Sequence, residues 1–533
     1  MPEHTAKPRP HWSPTRRQLL RVGAVGAVGA AALGVSSLGE SAAWAQAGPA
    51  GGPVREPFTL GVASGDPMPD GVVLWTRLAP EPLAEDGLGG MPDRPVPVQW
   101  EVSKDESFRQ VVARGTELAR PEEAHSVHAE VAGLQSGAAY FYRFRAGSEL
   151  SPVGRTKTAP GPGARLDRFA FALASCQNYP AGFYTAYAHM AEENLDLVAF
   201  VGDYIYNGDG QGTIGRGWLP VREVKTLADY RIRLGQVKSD PDLKAAHSAF
   251  PWVVTFDDHE VANNWAGDDA DPDVPVSEFL ARRAAAFQAY YEHMPLRRAQ
   301  RPVGPDVQIY RRLTFGDLID LYVLDTRSYR SDQVPQAQRY DPSRTILGDV
   351  QESWLSQALA GPTARWNVLA QQVFFSQRDF TAGPDQGFND DSWDDYAVAR
   401  DRLRDHLATV GTSNPIVLSG DVHMNYVCDI KADFNDPNSR TVATELVGTS
   451  ISSEGDGKAN PVGDAKQMAE NPHIKFINRD RGYVRTVVTP TEWTADFRTV
   501  DYVSRPGAPV GTRASFVIED GRPGARSVQP PPA

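Results

Sequence analysis

Four short apolar runs punctuate the chain: FAFALAS at 169–175, LDLVAFV at 195–201, PWVVTF at 251–256 and PIVLSG at 415–420. Each is too continuous for a half-buried strand and too short for a helix, so each reads as a strand buried on both faces. DLIDLYVLDTR at 317–327 and WNVLAQQVFFS at 366–376 repeat the pattern. Between these runs, 182–193 and 276–291 place apolar residues at helical spacing. Strands alternating with helices predict a layered α/β domain over 169–505.

Residues 56–158 have a different rhythm. FTLGVAS, GVVLWTRL, VPVQWEVS, SVHAEVAGL and AAYFYRFRAG are short strand-like runs separated by turn residues. That spacing predicts a β-sandwich of roughly 100 residues. Leu134 followed by alternating Tyr140, Tyr142 and Phe144 looks like a fibronectin type III pattern. The Pro/Gly stretch at 159–168 marks a linker to the α/β domain. Residues 506–533 are expected to hold one more strand and a Pro-rich tail, GRPGARSVQPPPA.

Length changes the picture little: 533 residues suit two to four domains. The N-terminus changes it more. Arg16-Arg17 opens a twin-arginine pattern, Val22–Leu38 is a weakly apolar run, and Ala43-Trp44-Ala45 offers a cleavage site. Residues 1–45 therefore read as a signal peptide handed to the twin-arginine export machinery, and 46–55 as a linker. The expected product is secreted or periplasmic, with no membrane span after cleavage. The chain carries −13 overall and +3 within 1–45, leaving −16 on the rest. So acidic a body argues against binding nucleic acid or anionic membrane by counterion release.

The candidate chemistry sits where the apolar runs end. SCQ at 175–177, GDYIY at 202–206, FDDHE at 256–260 and SGDVHMN at 419–425 each follow one of them. Open α/β sheets place ligands at this edge. Asp203, Asp258 and Asp421 supply hard oxygens, His423 an imidazole, Cys176 a thiolate and Tyr206 a phenolate; together they read as one metal centre. A phenolate at working pH calls for a strongly polarising cation such as ferric iron, and a thiolate is compatible with iron. Alone, GDxxY is also a strand-ending turn with a packed tyrosine; the four motifs together carry the signal. A Cys176–Cys428 disulfide is the other use an exported protein has for its two cysteines. His259 is a candidate proton donor or phosphate partner, or else orients Asp258. Arg327 either clamps a phosphate oxygen or pairs with nearby acids. The acids of NDDSWDDY at 389–396 read as caps of the helix that follows.

These motifs resemble the alkaline phosphatase D (PhoD-like) family, a branch of the metallophosphoesterases related to purple acid phosphatases. GVASGDP at 61–67, VLWTRL at 73–78, LDTRSYR at 324–330, QQVFF at 371–375, VGTSISS at 447–453 and RGYV at 481–484 extend the likeness over nearly the whole expected mature chain. The resemblance implies an α/β/β/α sandwich behind the all-β front domain. It implies a ferric ion held by Cys176, Asp203, Tyr206 and His423, and one or two calcium ions held by Asp203, Asp258 and Asp421. Gln372 falls near the position where related phosphatases place a further histidine ligand. The activity implied is phosphate-ester hydrolysis, an alkaline phosphatase or phosphodiesterase using a metal-activated hydroxide. The alternative is a phospholipase D with the same centre, acting on phosphatidylcholine-type lipids. A decayed, non-catalytic wall-binding scaffold is the rival of another class, and the complete ligand set argues against it.

Overall fold

The structure, a computed structural model, describes residues 55–529 apart from Asp271. The expected signal peptide, most of the first linker and the last four residues lie outside the described residues. Eight strands form the front of the chain: β1 (Val62–Met68), β2 (Gly71–Arg77), β3 (Val96–Ser103), β4 (Val111–Ala119), β5 (Ser126–Val131), β6 (Ala139–Ala146), β7 (Glu149–Leu150) and β8 (Gly154–Lys157). Then come β9 (Phe169–Ala174), α1 (Thr185–Glu192), β10 (Leu197–Phe200), α2 (Leu227–Lys238), α3 (Pro241–Ala249), β11 (Pro251–Val254) and α4 (Val276–His293). The next stretch holds β12 (Arg311–Phe315), β13 (Ile319–Val323), α5 (Gly348–Ala360), β14 (Trp366–Ala370), α6 (Ala397–Val410) and β15 (Pro415–Ser419). The chain closes with β16 (Asn425–Lys431), β17 (Thr441–Val447), α7 (Pro461–Glu470), β18 (Ile474–Asn478), β19 (Arg481–Val488), β20 (Glu492–Val500), β21 (Val510–Glu519) and β22 (Arg522–Gln529).

Two large sheets build the body. One has the order β22-β21-β20-β19-β9-β10-β11-β1-β2-β5, the other β12-β13-β14-β15-β17-β16-β18. In β9, Phe169, Phe171 and Leu173 enter the core between the sheets, while Ala170, Ala172 and Ala174 face the helical layer. Both faces are buried, which is why the run is apolar without alternation. Tyr187, Leu234 and Phe287 bring α1, α2 and α4 onto the outer face of the first sheet. Leu355 and Leu403 bring α5 and α6 onto the second. The layers are α/β/β/α.

The front strands form a sandwich, with β3, β4, β6 and the short β7 and β8 in one sheet. Tyr140, Tyr142 and Phe144 alternate into its core together with Leu134, Leu74 and Ala129. Its other sheet is shared: β1 pairs in parallel with β11, aligning Ser64 with Pro251 and Gly65 with Trp252. Position 158 therefore divides the chain in sequence and not in hydrogen bonding.

At the C-terminus the expected tail is corrected. Residues 522–529 are a strand, β22, paired antiparallel with β21. Gly521, at φ +71, makes the tight turn between Glu519 and Arg522, and the abundance of Pro and Gly around it hides the hairpin. No helix among the described residues is long and apolar enough to cross a membrane.

Candidate metal centre

Strands β9, β10 and β11 are parallel neighbours, so their C-terminal ends open on one edge. The end of β15 meets them from the second sheet at Gly420, where a Cβ would lie 2.6 Å from Ser175 Oγ. Gly202 is required for a similar reason. It sits at φ +114, and a Cβ there would fall 2.4 Å from that of Asp257. The next residues pay for this crowding in backbone strain: Cys176, Asp203, Asp421 and His423 are left-handed, at φ 61, 60, 64 and 54. Such a conformation costs an L-residue roughly 1–2 kcal/mol, and its concentration on four candidate ligands marks a functional site. Backbone ties hold it in place, from Cys176 N–H to Gly202 O and from Gln177 N–H to Asp203 O, both 3.0 Å.

The expected ligands converge. Ligand atoms of Cys176, Asp203 and His423 lie within 4.8 Å of one another, as do those of Asp203, Asp258 and His259, and those of Asp257, Asp258 and Asp421. Asp203 belongs to the first two groups and Asp258 to the last two, which makes the centre a chain of adjoining positions. Tyr206 Oη is 2.8 Å from Asp203 Oδ2, 2.9 Å from His423 Nε2 and 2.7 Å from Ser453 Oγ. His423 Nδ1 faces Glu454 at 3.4 Å. His259 donates through Nδ1 to Asn207 Oδ1 at 2.8 Å, and its Nε2 is 4.0 Å from Asp258 Oδ2. That same Asp258 oxygen accepts the N–H of Asn264 at 2.7 Å. Cys176 and Cys428 are both free, so the disulfide alternative falls away.

Within the candidate site three buried carboxylate oxygens, Asp203 Oδ1, Asp257 Oδ2 and Asp258 Oδ1, have no hydrogen-bond donor. Leaving such an atom unpaired costs on the order of 1–3 kcal/mol, more for a charged group. The protons of the site register the same crowding of negative charge. Burial and the carboxylates of Asp391, Asp258 and Asp203 push Asp421 up to about 7, against the pull of Arg327. Burial, with Asp258, Asp421 and Asp203, raises Asp257 well above the usual carboxylate range. Burial and then Asp203 push the Cys176 thiol up to about 12. Burial alone would lower His423, but Asp203, Cys176 and Glu454 outweigh it and raise it. A cation resolves all of these at once, satisfying the oxygens and displacing the protons. The donor set of thiol, phenol, imidazole and carboxylates fits the metals its types call for.

Two expected residues have other duties. Arg327 is fully buried: Nε donates to Asp257 Oδ1 at 2.5 Å, and Nη1 and Nη2 donate to the two oxygens of Asp391 at 2.7 and 2.8 Å. It is therefore an ion-pair anchor and not an exposed phosphate clamp. Gln372 donates to Thr255 Oγ1, Phe256 O and Leu324 O and accepts from Thr326, which pins the strand ends behind the site and leaves no atom for a metal. The acids at 389–396 are likewise not helix caps. Asp391 is taken by Arg327 and Arg330, Asp394 by Arg400 and Asp395 by Arg344; Ser392 Oγ caps the 3-10 turn Trp393–Tyr396, and α6 itself starts without a side-chain cap.

Glu260 is the residue that motif reading missed. Its carboxylate accepts the N–H groups of Asp203 (3.2 Å), Tyr204 (2.5 Å) and Asp257 (2.8 Å), clamping two ligand-bearing strand ends together. Burial and then Asp203 push it up to about 8. It stands inside FDDHE, but nothing in the sequence separates it from an exposed acid.

An α/β/β/α sandwich with carboxylates, imidazole, phenol and thiol gathered at its strand ends defines a metallophosphoesterase. The profile of the PhoD-like phosphatase family matches residues 171–497, and that of the PhoD-like phosphatase N-terminal domain matches residues 43–160. Alkaline phosphatase D of Bacillus subtilis (strain 168) is 50% identical over 483 residues, 89% of this chain and 82% of that protein. A solved structure described as that of PhoD superimposes with a TM-score of 0.86 at 50% identity, covering 89% of this chain and 92% of the other. The chain belongs to the PhoD-like phosphatase family, and it is a metal-dependent phosphoric-ester hydrolase.

Proposed function

We propose that this chain is exported by the twin-arginine route and releases phosphate from organic esters outside the cytoplasm, using a ferric ion and one or two calcium ions. Cys176, Asp203, Tyr206 and His423 would hold the iron; Asp203, Asp258 and Asp421, with Asp257 beside them, would hold calcium. The observation that carries the reading is the trio of donorless buried oxygens on Asp203, Asp257 and Asp258, next to a thiol, a phenol and an imidazole. All-oxygen positions suit calcium, while the thiol and phenol suit iron. When bound, the cations would neutralise charge on the phosphate oxygens and lower the pKa of a water nucleophile.

The chain's own residues prepare that chemistry. Glu260 and Arg327 fix Asp203 and Asp257 before substrate arrives, so the oxygens need no reorganisation. His259, held through Nδ1 by Asn207, presents Nε2 on the Asp258 side. As an imidazolium it is placed to give its Nε2 proton to the departing alkoxide. Tyr206 packs against its ring at 4.3 Å between centroids and restricts its swing.

The test joins metal analysis of the purified mature chain with kcat/KM on a phosphomonoester, a simple phosphodiester and phosphatidylcholine. Stoichiometric iron, bound calcium and a preference for the small esters are the expected result. Full activity without iron overturns the ferric assignment. Preference for the lipid with release of choline makes the chain a phospholipase D. Continued export after Arg16→Lys and Arg17→Lys removes the twin-arginine route.

A further inference from the structure

Next to the metal centre lies a cavity of about 550 Å³ that none of the candidate ligands lines. Its size is that of a small-molecule pocket. Its apolar wall comes from α2 and α4, with Leu227, Phe279, Ala281 and Ala285, and its polar rim carries Glu223 and Arg282. Asn207 forms the wall nearest the chemistry: its Nδ2 donates to Glu223 at 3.3 Å, while its Oδ1 holds His259. Asn263, also on the lining, directly precedes the residue whose N–H binds Asp258. One end of the cavity is thus a single side chain away from the group placed to protonate the leaving oxygen.

We infer that this cavity receives the organic substituent of the phosphate ester, and that it selects uncharged, carbon-rich alcohols. The inference rests on the phosphoesterase reading and gives the same site its substrate class. The cations on the rim already face an acid, and Glu278 adds a further carboxylate to the lining. Arg282 pairs with Glu223 at 2.8 Å and also donates to Tyr230 Oη at 2.9 Å, and Lys225 faces Glu223 at 3.6 Å. A second phosphate would find no unpaired cation there. A quaternary ammonium needs an aromatic cage, and among the described residues on the lining Phe279 is the one aromatic ring. What remains is mainly apolar surface, with the neutral residues Asn263 and Thr226 also on the lining.

The experiment measures competitive inhibition constants for methylphosphonate and phenylphosphonate on the full metal-loaded enzyme. Both carry the same anionic head, and neither has a bond to hydrolyse, so leaving-group reactivity drops out. Burying an aromatic ring is worth roughly 1.5–3 kcal/mol, so phenylphosphonate is expected to bind about tenfold or more tightly. Ala281→Trp, at an exposed position of α4, and Ala285→Trp, one turn further on, each fill the cavity. Both should erase the phenyl preference and leave the methylphosphonate constant within about twofold. Equal constants in the parent enzyme, or a preference that survives in both folded variants, overturns the assignment. If neither phosphonate competes, the phosphoesterase reading fails first, a result distinct from loss of the phenyl preference alone.

Discussion

The chain contains the dipeptide Asp-Asp twice in buried surroundings, and the two pairs have opposite fates. Asp394 and Asp395 lie on a short 3-10 turn where arginine reaches each of them: Arg400 binds Asp394 and Arg344 binds Asp395, both at 2.5 Å. Asp257 and Asp258 lie at the end of β11, where one arginine, Arg327, pairs with one oxygen of Asp257 and stands 3.7 Å from Asp258. Each of that second pair keeps an oxygen without a donor. Carboxylate density therefore does not make a metal site. The deciding feature is whether the protein's own cations are present in number. Where arginines equal the acids the cluster is a strut, and where they fall short it holds an unmet charge that only an external cation can match.

The sharpest way to break this contrast is Asp203→Asn, which removes a charge from the residue shared by two of the three ligand groups. Cations supply several kcal/mol of charge stabilisation to phosphoryl transfer, so kcat/KM should fall about a thousandfold. Elemental analysis should show bound metal lost in parallel, whereas a fully loaded, active variant would mean that Asp203 bridges nothing. Arg327→Met attacks the arginine that ties Asp257 to Asp391. It leaves Asp257 buried without its partner and Asp391 with Arg330 in place of two arginines, a change expected to cost about 3–5 kcal/mol in urea unfolding. A residue that merely touched substrate would lower turnover and leave the unfolding midpoint alone.

Much of the contrast was legible in the sequence, though unevenly. The candidate ligands were readable because each follows a continuous apolar run, so strand and chemistry arrive together in one segment. The partners of the acids were not. Arg327 meets Asp257 across 70 positions and Asp391 across 64, and no local pattern reports a pairing set by sheet order. For the same reason the shared sheet was invisible: β1 and β11 lie far apart in sequence and pair over two registered positions. At 389–396 the local rule, acids before a helix, was outweighed by arginines from α6 and the 327–344 segment. Glu260 shows the opposite gap. It was in plain view inside a motif, but its work is to accept three backbone N–H groups, and a sequence does not display those.

Glu260→Gln sharpens the point at smaller scale. A carboxamide keeps one accepting oxygen, and its NH2 group cannot accept the N–H that the other oxygen now takes. Either Tyr204 or the Asp203 and Asp257 pair loses its anchor. Supporting groups of this kind are worth about 10–100-fold in metal affinity or activity. Metal titration should show weaker binding, with activity recovering at high cation concentration. Recovery would not follow if Glu260 itself reacted with substrate.

The smallest effect comes from the mirror image of the metal site, a buried cation with no acid. Lys238 is almost fully buried at the end of α2, and its ammonium lies 4.3 Å from the Trp75 ring centre and 5.4 Å from that of Tyr204. Among the described residues no carboxylate pairs with it, and burial lowers its pKa from 10.5 to about 7. Between those values the unfolded chain binds the proton and the folded chain does not, so the parent protein gains stability as pH rises from 7 towards 10.5. Below pH 7 both states carry the charge, and the folded state bears its full desolvation cost. Lys238→Met removes that cost while filling a similar volume, so it should stabilise the fold by about 1–3 kcal/mol near pH 6.5, with the gain shrinking to nothing above pH 10.5. Urea unfolding of both proteins at the two pH values decides it. A gain independent of pH would mean better packing alone, and a loss would mean that the aromatic rings hold the ammonium more firmly than water does.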